Sequence, residues 1–135
     1  RELSEYWIHR QQLLGALEQS SDLDPDVVRP ILLGLRWAYP YRLAQLDADV
    51  GDTVRIAISG EVTESWFVVA DTQGWDFRLE PGPRTVAALS LTTDQAWRLL
   101  TNNLAPHHRR DLDVSGTHSV IDVLLSTRAV IGHPK

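Results

Sequence analysis

Apolar and polar positions along the chain fall into two regimes that meet near Gly51. From Glu2 to Gln19 the apolar side chains recur at helical spacing. Leu3, Trp7, Leu14 and Leu17 lie within about a third of a turn of one another at ~100° per residue, with Glu5, His9, Gln12 and Ala16 opposite. The polar run SSDLDP, residues 20 to 25, ends that helix, and Asp24 followed by Pro25 is an N-cap and first-turn pair for a second. The next stretch, DVVRPILLGLRWAYPYRLAQL, contains Pro30 and Pro40, so a kinked or two-piece helix is expected.

After Gly51 the period shortens. TVRIAIS (53 to 59), SWFVVAD (65 to 71), WDFRLE (75 to 80) and TVAALSL (85 to 91) are β-branched or aromatic runs separated by Gly, Pro and Asp signals, the pattern of an antiparallel meander. A helix follows from Thr93 or Asp94 to Leu104, with Ala96, Trp97, Leu100 and Leu104 on one face. DLDVSG (111 to 116) reads as a fifth strand, and Thr117 can cap a last helix to about Val130 that turns Val120, Ile121, Leu124 and Leu125 inward. The expected fold class is α+β: a mostly antiparallel five-stranded sheet with two helices on one face, preceded by helical material in residues 1 to 48.

Composition narrows the function classes. At 135 residues, 43% hydrophobic and with five Trp, the chain can build a core of about one domain. A formal charge of -5 offers no basic footprint for nucleic acid or an anionic membrane, and no run approaches the ~18 apolar residues of a span. The absence of Cys rules out disulfides and thiolate ligands from this chain and suits a cytoplasmic protein. The chain has no Met and opens RELSEYW, without a capping residue ahead of its first helix, so it reads as a segment of something longer.

Glu5 and His9, four apart, project from one helical face and can offer a carboxylate oxygen and an imidazole nitrogen to one divalent ion. Two ligands do not hold a catalytic metal, so a third must come from another helix; the bland alternative is a solvated Glu/His pair. Arg98, in QAWRLL, suits a planar carboxylate, although spacing alone favours an ion pair with Asp94 one turn earlier. PHHRR (106 to 110) is expected in a loop with diverging His side chains and is given no role, and the five Trp are expected in packing.

Two resemblances sharpen this reading. EYWIHRQQLLGAL is similar to the last helix of the DinB-like bundle in the mycothiol-dependent maleylpyruvate isomerase family, typically E-x-W-x-H-x-x-D; Gln12 stands where that pattern has Asp. GDTVRIAISG, SWFVVADTQGWDF, TDQAWRLLTNNL and DLDVSGTHSVIDVLLSTRAVIG resemble, in order and spacing, the sterol-carrier-like C-terminal domain of the same family. The resemblance implies three parts: 1–21, the last helix of a truncated bundle; 22–51, a connecting helical segment; and 52–135, the C-terminal α+β domain. It implies that Glu5 and His9 are ligands of zinc or another divalent metal, with a third ligand outside this chain; Arg98, read from its own carboxylate-binding chemistry, is the candidate catalytic residue. Mycothiol would be the cofactor, its thiol activated by the metal to attack a small-molecule electrophile; a chain without Cys fits a nucleophile borrowed from a cofactor. On this reading the full-length protein is an isomerase or thiol transferase, the segment alone is inactive, and residues 1–21 pack against missing bundle helices, a second chain or the α+β unit. The other function class is a non-catalytic small-molecule-binding or interaction module without metal.

Overall fold

The computed structural model describes residues 7–8 and 23–129. Asp24 caps the first helix of the continuous part, α1 (Pro25–Leu35), by accepting the Asp26 N–H at 3.0 Å. Val28, Ile31, Leu32 and Leu35 form its buried stripe. The expected two-piece helix is present, but neither proline makes the break. Pro30 sits on the exposed side of α1, and Pro40 falls in the first turn of α2 (Ala38–Leu43), where a missing N–H costs nothing. The chain turns instead at Arg36 and Trp37, just after Gly34.

Five strands follow in the predicted places: β1 (Asp52–Ser59), β2 (Glu64–Asp71), β3 (Gly74–Arg78), β4 (Arg84–Thr92) and β5 (Asp113–Gly116). They form one sheet in the order β3-β2-β1-β4-β5. The meander expectation holds for β1 to β3 and fails at β4, which crosses back to pair with β1 in parallel. The alternation of side chains specifies which face each residue shares but not which strand lies alongside. β5 then adds antiparallel to β4. The sheet is therefore mostly antiparallel, as the sequence predicts.

Only one face of this sheet is dry. Val54, Ile56 and Ile58 of β1, Trp66 and Val68 of β2, and Ala87, Leu89 and Leu91 of β4 are buried, whereas Arg55, Ser65 and Ser90 between them are exposed. Helices α3 (Thr93–Leu100) and α5 (His118–Ser126) pack against β4 on the dry side, and α2 packs against β3 and α5. The core is continuous across these layers, with Trp7 and Ile8 included. No helix among the described residues is long and apolar enough to cross a membrane.

Two local devices fix this arrangement. The bulge that opens the β1–β4 register leaves the Val86 carbonyl to accept the Thr117 N–H at 2.9 Å. Gly116 lies against that carbonyl at φ 126°, and a Cβ there would run into the Val86 oxygen and the Ala87 backbone. Buried Thr93 accepts the Val62 N–H at 3.0 Å and donates to the Ser59 carbonyl at 2.8 Å, pinning the start of α3 to the β1–β2 turn.

The helix ends differ from expectation. The 93–104 helix stops at Leu100 because Asn102 takes a left-handed φ of 61° and the Asn103 N–H returns to the Arg98 carbonyl at 2.6 Å. Thr117 occupies the N-cap position of α5 without a side-chain hydrogen bond. That helix stops at Ser126 rather than near Val130, since Thr127 is extended. Within α5, Val120 and Leu124 are buried, while Ile121 and Leu125 are only half-buried.

Candidate functional site

The joint between β4 and α3 builds the site. Thr92 ends the strand and caps the helix at once: its hydroxyl accepts the Gln95 N–H at 3.1 Å, and the Gln95 side chain accepts the Thr92 N–H at 2.9 Å. This box fixes the first turn, so that Asp94 and Arg98, one turn apart, share the outer flank of α3. The Asp94 carboxylate accepts from Arg98 Nε at 2.8 Å and, through its other oxygen, from Trp97 Nε1 at 3.1 Å. The Arg98 guanidinium also lies 4.6 Å from the centre of the Trp97 ring. Arg98 thus makes the ion pair that spacing alone offered as one of its two readings, and it makes it at the wall of a cleft.

That cleft has a volume of about 680 Å³. Asp94, Gln95, Arg98 and Asn103 line it from α3 and the turn after it, and His108 and Asp111 close it from beyond. The tight turn at Asn102 brings α4 (Pro106–Arg109) back over α3. His107 and His108 therefore belong to a short helix rather than a loop, and their rings lie 4.0 Å apart instead of diverging. His108 and Asp111 are members of the cleft that sequence reasoning passed over. The only available signal was the PHHRR run itself, and it becomes informative once the Asn102 turn is known. Two carboxylates, a guanidinium and an imidazole around one open cavity suit a small polar ligand bearing both donors and acceptors.

Behind the cleft, the fully buried Trp97 ring meets Trp7 edge-on, with centroids 5.1 Å apart and planes at 79°. Trp7 is 3% exposed. Of the other Trp residues, Trp66 is buried, Trp75 is half-buried, and Trp37, against the packing expectation, is 47% exposed beside Tyr41. A smaller cleft of about 330 Å³ lies at the β2–β3 edge, where Arg36 stands 4.3 Å from the Phe77 ring centre and 5.4 Å from that of Trp66.

Glu5 and His9 lie outside the described residues, each two positions from Trp7 in the sequence. Among the described residues no group of three or more His, Asp or Glu side chains is placed to hold a metal ion.

No family model and no curated protein matches the chain. Among solved structures, it is similar in fold to one titled "UbiJ-SCP2 Ubiquinone synthesis protein". The identity is 17% over 78% of this chain and 95% of the other, with a TM-score of 0.45.

Proposed function

We propose that the α+β unit is a small-molecule-binding module of sterol-carrier-like architecture, and that it serves a metal-dependent, mycothiol-using isomerase or thiol transferase similar to maleylpyruvate isomerase. The observation that carries this reading is the Trp7–Trp97 contact. It joins the segment bearing the Glu5/His9 pair to the ring whose indole N–H is held by Asp94 at the wall of the cleft.

In this reading Glu5, His9 and a third ligand from outside this sequence hold zinc or another divalent ion, which supplies, when bound, a cofactor thiolate at neutral pH. The chain's own work in the cleft is to seat the ligand. Arg98 meets the ligand directly and Asp94 positions it: Asp94 fixes its Nε, which sets the plane in which the guanidinium meets a carboxylate of the electrophile or of mycothiol. His108 and Asp111 offer a proton donor or acceptor across the cavity. The small-molecule electrophile and mycothiol are the partners this assigns, in the cytoplasm.

A second reading, a binding module without metal, draws on the cleft alone, because Asp94, Arg98, His108 and Asp111 line it without any call on Glu5 or His9. Elemental analysis of the full-length protein beside Glu5→Ala and His9→Ala separates the two. The enzyme reading expects about one zinc per chain, near-complete loss in either variant, and release as pH falls through the ordinary histidine range of about 6 to 7. Thiol-dependent turnover should vanish with the metal and return when zinc is added. Full-length protein without stoichiometric metal, or undiminished turnover in Glu5→Ala, leaves the binding module as the function.

A further inference from the structure

We propose that Arg42, Arg109, Arg128 and the Tyr39 hydroxyl form an oxyanion site, separate from the Arg98 cleft, that takes the phosphate or carboxylate group of a small ligand. Three elements bring these groups together. Tyr39 and Arg42 come from α2, Arg109 ends α4, Arg128 follows α5, and α2 packs directly on α5. Asn102 is the clamp: its side-chain oxygen accepts from Arg109 Nη2 and from Arg128 Nε, each at 3.2 Å. The end of α5 holds the other side. Arg128 Nη1 donates to the carbonyls of Leu125 at 3.0 Å and Thr127 at 2.7 Å, and Arg42 Nη1 reaches the Ser126 carbonyl at 3.4 Å.

Charge is not balanced there. The ion pairs among the described residues engage Arg29, Arg78, Arg84 and Arg98, and none engages these three guanidinium groups. The carbonyls at a helix C-terminus supply about half a negative charge between them, against three positive ones. Such a cluster stands out in a chain of net charge -5. Burial, and then Arg109 and Arg42, hold the Arg128 guanidinium below its ordinary range, with Tyr39 opposing.

The unpaired atoms also point to a ligand. Tyr39 Oη, Arg42 Nε and Arg109 Nε are buried without a hydrogen-bond partner. Each is a donor, and a buried donor left unsatisfied is costly. An arginine grips a carboxylate or phosphate side-on through Nε and a neighbouring Nη, so an oxyanion admitted to the cluster would pair with such donors and offset its charge.

The test is isothermal titration of the full chain, at fixed chloride, with inorganic phosphate in one arm and succinate in the other. Saturable one-site binding of either is expected, and the arm that binds identifies the source of the oxyanion. Arg42→Gln and Arg109→Gln should each weaken it by at least about tenfold. Without anion, both variants should melt no lower than the parent, because each removes one of three like charges. A merely structural role for these arginines predicts the reverse, lower melting with nothing to lose in binding. Three results overturn the proposal: neither anion binds, binding survives both substitutions, or binding is lost in Arg98→Gln and kept in Arg42→Gln.

Discussion

Tyr39 shows at the scale of one residue how burial sets behaviour that no local pattern reveals. In the sequence it is an aromatic in WAYPY; in the fold it is fully buried, with its hydroxyl unpaired. Burial pushes its pKa well above the ordinary tyrosine value, and Arg128 offsets part of that rise. A phenol in the unfolded chain titrates near pH 10. Because the folded value is raised above the unfolded one, the contribution of the neutral phenol is whole below about pH 10 and is lost as pH climbs from there toward the folded pKa. Tyr39→Phe in anion-free buffer should therefore be neutral or stabilising by up to about 1 kcal/mol at pH 7. It should also flatten the fall in stability above pH 10, read from urea midpoints against pH. An unchanged alkaline fall in the variant would mean that another group causes it. Arg98 is the converse case, since its pairing with Asp94 was legible at a spacing of four, whereas the cavity beside it was not.

Elements were legible wherever punctuation was strong. Gly60, Gly74 and the Pro81-Gly82-Pro83 run bracket the strands, and all five appear within a few residues of their predicted limits. Helix ends read less well. Asn102 ends α3 through a backbone conformation that composition alone does not announce, and Pro30 is tolerated because its side of α1 faces water. Trp7 is the element-level test of how the N-terminal segment docks. Its ring is buried against Trp97, so Trp7→Ala should lower the stability of the full chain by about 3 to 5 kcal/mol, and Trp7→Phe by clearly less. Urea denaturation followed by far-UV circular dichroism reads both. A Trp7→Ala midpoint equal to the parent's would show that this contact does not hold the segment to α3.

Across the described residues the core is one body. Trp7, Ile8, the buried stripes of α1 and α2, and the dry face of the sheet belong to a single cluster. A protein cut to residues 52–135 would expose the surfaces that α1, α2 and Trp7 cover, among them part of α3 and of β3. Such a piece should lose cooperative unfolding and bind hydrophobic dyes, whereas the 135-residue chain should melt in one sharp transition. A cooperative, dye-negative 52–135 would make it a domain in its own right. The sequence by itself determined the α+β class, the five strands, the single dry face and the pairing of Asp94 with Arg98. Each follows from side-chain period or from neighbours within one helical turn. Only the tertiary structure decided that β4 runs parallel to β1, that His108 and Asp111 meet Arg98 at one cleft, and that Tyr39 joins Arg42, Arg109 and Arg128. These residues are far apart along the chain, and what joins them is the crossover of a strand, the turn at Asn102 and the packing of α2 on α5. A periodic pattern fixes the face on which a residue lies, but not the surface that comes to meet it.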